Sequence, residues 1–200
     1  IEGLPEIEIR REEITRLPEE GTVIVASGPL TSDALAGDIA RQFFAAVLAQ
    51  ARARQMLSDE HFTVDGTLLA AWAGQKSFTR KDGTSPGPSD DDPGNPTVNF
   101  RGDRRSNATH QSTTDPDSRL AKTSAGTAAK LAYLGEVLMD NRHGLVVDAC
   151  VRHATGTAER RAAETMLAAK AEQAGRRITV GADKAYDTVD HVAHLRALEV

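Results

Sequence analysis

Two apolar segments separated by a short polar joint are the strongest constraint on this fold. They cover residues 129–139 (AKLAYLGEVLM) and 145–154 (LVVDACVRHA), and Asp140-Asn141-Arg142-His143-Gly144 joins them. Asn and Gly adopt the backbone conformations that tight turns need, so the joint predicts a β-hairpin. The two segments are therefore expected to be neighbouring antiparallel strands.

The order of the other elements predicts an α/β fold with a mixed sheet and flanking helices. Before the hairpin, Phe62 and Val64 alternate on one side of a short strand, and the following residues 68–72 suggest a helical turn. After the hairpin, a helix is expected from about Ala158 to Ala174, capped by Thr157 and ended by Gly175. ITVGADKAYD then predicts a strand leading into a loop, and TVDHVAHLRAL a final helix.

The N-terminal part has different periodicities. Ile7 and Ile9 alternate with charged residues, and TVIVASGPL is a short β-branched run, so both predict strands. From about Thr31 to Leu57 the pattern is helical, with an apolar stripe that predicts an amphipathic helix facing a core. The stripe consists of Ile39, Phe43, Phe44, Val47, Leu48 and Ala51.

Residues 76–129 form an insert with little periodicity. Its segment KDGTSPGPSDDDPGNP is rich in Pro, Gly, Ser and Asp, which predicts a loop or a disordered segment. Its basic residues are either a solvated surface or contacts for phosphate groups. They are Arg80, Lys81, Arg101, Arg104 and Arg105, and they accompany the acidic run Asp90 to Asp92.

Two aspartates are the main candidates for chemistry. Asp65 in FTVDGT and Asp183 in ITVGADKAYD each follow a short apolar strand. Carboxylates at neighbouring strand ends can bind Mg²⁺ or Mn²⁺, and a metal pair can activate a nucleophile on a phosphodiester. Strand-terminal aspartates are also common as structural residues, and Asp148, inside LVVDAC, is a third candidate for which a structural role is favoured.

Composition limits the other classes of function. The formal net charge is −5, so DNA binding requires local basic patches or bound metal. The single Cys150 permits no internal disulfide and fits a reducing cytoplasm. There is no membrane-length apolar run and no signal peptide, and the histidines lack the spacing of a zinc site.

Five segments in order resemble the DDE-type transposases of bacterial insertion sequences, over about residues 37–200. They are LSDEHFTVDGTLLAAWAGQKSFTRKDG, NPTVNFRGDRRSNATHQSTTDPDSRLAKT, AKLAYLGEVLMDNRHGLVVDACV, ATGTAERRAAETML and RITVGADKAYDT. The resemblance implies a ribonuclease H-like core in which Asp65 and Asp183 are the catalytic, metal-binding aspartates. It also implies Mg²⁺ or Mn²⁺ as cofactor, transposon-end DNA as partner, and homo-oligomers of the full-length family.

The family's catalytic glutamate belongs to a later signature that this sequence does not contain. The expected domain is therefore a truncated ribonuclease H-like domain at 59–200, preceded by a helical remnant at 37–58. We expect it to be inactive in strand cleavage and to leave part of its sheet uncovered. The alternative within the same resemblance is a non-catalytic DNA-binding regulator of transposition.

The first 36 residues resemble another family. GLPEIEIRREEITRLPEEGTVIVASGPLTSDALA is similar to a segment of the folate- and FAD-dependent tRNA (uracil-5-)-methyltransferases. That family's flavin fingerprint and catalytic cysteines are not present. A fusion near Ala36-Gly37 is the favoured explanation, and a flavoprotein remnant acting on tRNA is the alternative function.

Overall fold

The computed structural model describes residues 12–20, 33–84, 99–100, 103–124 and 126–200. The chain divides into two compact units, 1–56 and 57–200. Predictions that fall on residues 1–11, 21–32, 85–98, 101–102 or 125 lie outside the described residues. These include the strands around Ile7 and in TVIVASGPL, and the acidic run Asp90 to Asp92.

The described elements follow in chain order. They are α1 (Asp33–Ala53), β1 (His61–Ala70), β2 (Phe78–Arg80), β3 (Asn99–Phe100), β4 (Asp103–Arg104), β5 (His110–Ser112), β6 (Arg119–Ala121), β7 (Lys130–Asp140), β8 (Leu145–His153), α2 (Ala158–Ala174), β9 (Thr179–Gly181) and α3 (Val189–Ala197). Short 3-10 turns precede β2 and α3, at Gln75–Ser77 and Lys184–Tyr186. None of the described helices combines the length and apolar character needed to cross a membrane.

The main sheet confirms the mixed α/β prediction. β7 lies between β1 on one side and β6 and β8 on the other, and all of these pairs are antiparallel. β9 pairs with the free side of β1 and runs parallel to it. The predicted hairpin is confirmed: β7 turns into β8 through residues 141–144, and Gly144 has a φ of 69°.

Helix α2 connects β8 to β9 and has the predicted limits. Gly175 ends it in the left-handed region, with a φ of 59°, as glycine permits. Thr157 is the N-cap residue, but its side chain makes no capping hydrogen bond. The small and apolar side chains of one face are fully buried, and the helix covers β7 and β8 with them; they include Ala162, Ala163 and Leu167.

Strand β1 continues further than the sequence predicts. Residues 68–70 remain in the strand, so the expected helical turn is wrong. The reason is a long antiparallel ladder with β7, which runs from Phe62 opposite Asp140 to Ala70 opposite Ala132. Ladder hydrogen bonds along a whole strand outweigh the weak local helical preference of two leucines. Trp72 follows the strand and is 98 % exposed.

The described part of the insert contains short paired strands, which corrects the prediction of an irregular insert for these residues. Most of the segment KDGTSPGPSDDDPGNP lies outside the described residues. β2 pairs with β5, and β6 extends the main sheet beside β7. Phe78 and His110 stack with ring centroids 5.4 Å apart, and both are buried. The side chain of Asn107 both accepts from the Leu120 N–H at 2.7 Å and donates to the Leu120 carbonyl at 3.0 Å. The Asn107 side chain therefore pairs with the backbone of β6 as a neighbouring strand would.

Helix α1 forms as predicted, but its apolar stripe is only partly buried, and Ile39, Phe44 and Leu48 are half-buried. Phe43 is 71 % exposed and Val47 is also exposed, whereas Ala51 is buried. The buried polar group of this unit is Asp38, whose carboxylate accepts from the Leu17 N–H at 3.0 Å and from the Arg41 guanidinium at 3.0 Å. The backbone hydrogen bond from Leu17 is the main reason that the pKa of Asp38 lies below its usual value.

Candidate functional site

Asp65 lies inside a strand and not after one. It stands in the middle of β1 opposite Val137, which corrects the strand-end position inferred from sequence. Phe62 and Val64 point to the buried face, as predicted, so alternation places Asp65 on the opposite face. Its side chain is exposed, and its Oδ1 accepts from the Gly66 N–H at 2.9 Å.

Asp183 lies just past the end of β9, as the sequence predicts. It caps the 3-10 turn Lys184–Tyr186, because its Oδ1 accepts from the Ala185 N–H at 2.7 Å. The carboxylate is exposed. One oxygen therefore holds the turn, and the side chain remains accessible to a ligand.

The register of the parallel pair relates the two aspartates. Thr63 is paired with Gly181, and Asp65 and Asp183 each follow two residues later. Asp65, within β1, and Asp183, just past the carboxyl end of β9, are therefore equally far along the chain from this last described pair. Within the described ranges, however, no group of three or more His, Cys, Asp or Glu side chains is arranged to hold a metal ion.

Asp148 is positioned differently. It lies inside β8 opposite Leu138, and its Oδ1 accepts from the Ala149 N–H at 2.9 Å. Because β7 separates β8 from β1, Asp148 is on a strand that does not adjoin Asp65. Its position within the strand is the one that the sequence predicts.

Sequence reasoning missed a buried carboxyl group beneath α2. Glu136 of β7 is 1 % exposed, and its Oε1 accepts from the Tyr186 hydroxyl at 3.0 Å. Its Oε2 is buried without a hydrogen-bond partner among the described residues. Burial raises the pKa of Glu136 to about 7, and the negative charges of Glu159 and Asp65 add to this rise.

Glu159 approaches the same point from the first turn of α2. Its Oε1 lies 3.0 Å from the position that a Cβ on Gly66 would occupy, so a larger residue at Gly66 would meet this carboxylate. Gly66 is the cross-strand partner of Glu136. Burial, followed by the charge of Glu136, raises the pKa of Tyr186 well above its usual value.

A sequence signal for this group does exist. In LGEVLMD, Leu134, Glu136, Leu138 and Asp140 occur at every second position, so a strand must place all four on one face. Acidic residues alternating with buried leucines indicate buried carboxyl groups with specific partners. Asp140 is fully buried and accepts four hydrogen bonds, three from backbone N–H groups and one from the Ser58 hydroxyl.

The basic residues of the insert bind groups of the same segment. Arg80 pairs with Asp82 at 3.2 Å, the Lys81 Nζ donates to the Asn107 carbonyl at 2.8 Å, and Arg105 donates to the Gln75 carbonyl at 3.1 Å. Both interpretations of these residues, a solvated surface and contacts for phosphate groups, stay predictions. The side chain of Arg104 and the whole of Arg101 lie outside the described residues.

Comparison with known proteins finds similarity over one short segment. The chain is 69 % identical over 36 residues to the methylenetetrahydrofolate–tRNA-(uracil-5-)-methyltransferase TrmFO of Geobacter sulfurreducens. It is 63 % identical over 41 residues to TrmFO of Citrifermentans bemidjiense, and 66 % identical over 41 residues to that of Pelotomaculum thermopropionicum. These matches cover 18–20 % of this chain and only 8–9 % of the relatives' length.

The short match supports the resemblance to tRNA methyltransferases noted for the N-terminal segment. No protein-family profile matches the chain, and no solved structure matches it. The resemblance to transposases over about residues 37–200 therefore stays a prediction.

Proposed function

We propose that residues 57–200 are a ribonuclease H-like domain of the DDE transposase type, which binds Mg²⁺ or Mn²⁺ through Asp65 and Asp183 for phosphodiester chemistry on DNA. The observation that carries the proposal is the parallel β1–β9 register, in which Asp65 and Asp183 each come two residues after the pair Thr63 and Gly181. The order of strands is further support. Strand β1, the insert, strands β7 and β8, helix α2, strand β9 and helix α3 follow in the order that the sequence predicts for this core.

The chemistry requires two hard ligands on a firm support. Mg²⁺ prefers carboxylate oxygens and keeps several waters, so two carboxylates at one sheet edge suit it. Such ions lower the pKa of a bound water and neutralise charge on the phosphate. Asp65 is held by a long ladder and Asp183 by its capped turn, so both carboxylates start from fixed backbone positions.

A DNA-binding assay with the whole chain tests this function. Because the chain is net negative, we expect little binding of a DNA duplex without metal and measurable, salt-sensitive binding with Mn²⁺, read by fluorescence anisotropy. Asp65→Asn and Asp183→Asn should each remove the Mn²⁺-dependent part, and Asp148→Asn should not. Equal binding by all four proteins, with or without Mn²⁺, would reject the proposal.

Strand cleavage is a separate readout on the same samples. Among the described residues no three or more His, Cys, Asp or Glu side chains are arranged to hold a metal ion. We therefore expect metal-dependent binding without nicking. Nicking that requires Mn²⁺ and disappears in Asp65→Ala would show that the site is complete.

The second candidate function is a role related to tRNA methylation, favoured by the match to TrmFO. It concerns a short segment of this chain, and the matched stretch is under a tenth of those proteins. A flavin-binding measurement on the purified chain tests it. Bound flavin, seen as yellow colour and flavin fluorescence, would favour this candidate, and a colourless protein that fails to bind added FAD would count against it.

A further inference from the structure

The turn that follows Asp183 is anchored through one buried side chain. Asp183, Lys184 and Ala185 are exposed, whereas Tyr186 is 4 % exposed. The Tyr186 hydroxyl reaches through the interior to the Glu136 Oε1 at 3.0 Å. The turn is thereby attached to the middle of β7.

The backbone of this turn transmits the position of Tyr186 to Asp183. The Tyr186 N–H donates to the Asp183 carbonyl at 3.2 Å, and the Ala185 N–H donates to the Asp183 Oδ1 at 2.7 Å. Both hydrogen bonds close a ring of only a few residues. A shift of Tyr186 therefore moves the Asp183 carboxylate with it.

Other groups around Tyr186 provide weaker constraints. The Arg160 guanidinium donates to the Ala185 carbonyl at a long 3.3 Å. The ring of His191 lies against Tyr186 with centroids 5.8 Å apart, and its Nδ1 is 2.8 Å from the Glu164 Oε1. Of the side-chain bonds described for this turn, the Tyr186–Glu136 bond alone is fully buried.

Burial of the Glu136 carboxyl group, which accepts this bond, is energetically unfavourable. A buried carboxyl with an unpartnered oxygen loses solvation, and Glu159 and Asp65 add negative charge, against one nearby cation, Arg152. Positions where a chain retains a costly group without local compensation are often functional. The hydrogen bond from Tyr186 and the charge of Arg152 both offset the burial of Glu136, and the first of them joins Glu136 to the Asp183 turn.

We propose that Tyr186 and Glu136 are positioning residues, whose buried hydrogen bond sets the place of the Asp183 carboxylate at the β1–β9 edge. The inference rests on the proposed function in so far as Asp183 binds metal there. Tyr186 and Glu136 themselves touch no substrate or cation. They act through the turn 183–186.

The chain contains a matched control for this bond. It has two tyrosines, and the other, Tyr133, also donates its hydroxyl to a carboxylate, that of Asp115 in the insert. Tyr133→Phe removes a comparable bond without touching the turn. Glu136→Gln retains an oxygen that can accept from Tyr186, whereas Glu136→Ala does not.

Amide exchange of the whole chain, followed at Ala185 and Tyr186, tests the anchor. Tyr186→Phe and Glu136→Ala should speed exchange at both amides about five- to tenfold, as the loss of one hydrogen bond does. Glu136→Gln and Tyr133→Phe should leave both rates near the wild-type values. Unchanged rates in Tyr186→Phe would overturn the proposal, even if Glu136→Ala fails to fold.

Mn²⁺ affinity of the same variants separates positioning from a merely structural bond. Tyr186→Phe should weaken Mn²⁺ binding several-fold, with Glu136→Gln and Tyr133→Phe unaffected. Full affinity in Tyr186→Phe, combined with loss in Asp183→Asn, would overturn the positioning role. If Asp183→Asn itself binds Mn²⁺ normally, the proposed function fails, and the exchange rates alone then decide whether the bond places Asp183.

Discussion

The two faces of the main sheet differ sharply in what covers them. On the face under α2, Phe62 and Leu138 are at most 1 % exposed, and Leu134 and Val64 are also buried. On the other face, Val137 is 38 % exposed and Val151 61 %. Glu136 and Asp140 belong to the first face, and Asp65 to the second.

The covered face of these strands therefore determines stability, and the open face carries the proposed ligand-binding residue Asp65. The covered face contains the close-packed groups that determine whether the sheet forms. The open face carries the exposed Asp65, so a ligand reaches it without disturbing the core. The buried Glu136–Tyr186 bond links the two, because it fixes the Asp183 turn from the covered side.

Substitution of two neighbouring residues of β7, one on each face, tests the difference between the faces most sharply. Leu138→Ala removes a fully buried side chain and should lower the free energy of unfolding by about 2–5 kcal/mol. Val137→Ala, on the open face, should lower it by less than about 1 kcal/mol. Urea titration of both variants measures the difference, and equal losses would mean that the open face is packed as well.

Asp140 tests the rim of the covered face. Its carboxylate accepts from the backbone N–H groups of Ser58, Asp59 and Arg142 and from the Ser58 hydroxyl, so Asp140→Ala removes the acceptor of three backbone donors and one hydroxyl. We expect a loss of at least about 1.5–3 kcal/mol, the range for one hydrogen bond to a charged group. Asp148→Ala is the matched control and should cost much less, since one local bond is lost.

The same carboxylate predicts an acid dependence. Burial alone would raise the pKa of Asp140, but its backbone hydrogen bonds together outweigh burial and hold the pKa below 3.8. For an acid with a lowered pKa in the folded state, the stabilisation is present above pH 3.8 and is lost as pH falls through the folded value. Asp140→Ala should therefore remove part of the acid sensitivity seen in thermal melts.

Glu136 predicts the opposite dependence. Its pKa is raised from 4.5 to about 7, so the folded state holds a proton that the unfolded state releases. The contribution of Glu136 to stability is therefore greatest below pH 4.5, and it is lost as pH rises through about 7. At about pH 8.5 the free energy of unfolding of Glu136→Gln should exceed that of wild type by an amount on the order of 2 kcal/mol, and its melting temperature should be higher. An equal advantage at about pH 5 would contradict the assignment.

The smallest expected effect is on the open face. Val151→Thr replaces an apolar side chain that is largely exposed, so the free energy of unfolding should change by less than about 0.5 kcal/mol. Thermal melts measure it directly. A loss of about 2 kcal/mol or more would show that another part of the chain covers this face.

The sequence predicts those elements whose local and long-range preferences agree. The hairpin at residues 140–144 and helix α2 have strong turn and cap residues, and the structure confirms both. Residues 68–70 were predicted wrongly because their strand state depends on pairing with β7, far away in sequence. The insert appeared irregular because side chains such as Asn107 supply its pairing, which periodicity does not detect.

In the candidate site, too, some features could be predicted from local sequence and others depend on long-range pairing. Asp65 and Asp183 were found from their apolar strands, but the register that relates them depends on parallel pairing, which no local pattern specifies. Glu136 and Tyr186 lie 50 residues apart and meet only in the fold. The stripe of α1 shows the limit of periodicity, since Phe43 recurs at helical spacing and is nonetheless exposed.

Mn²⁺ binding to the whole chain tests the central claim most directly, by electron paramagnetic resonance of free and bound ion. We predict saturable binding that Asp65→Asn and Asp183→Asn each weaken at least about tenfold, while Asp148→Asn binds like wild type. Binding that is absent from the wild type, or identical in all four proteins, would contradict a cation site built from Asp65 and Asp183.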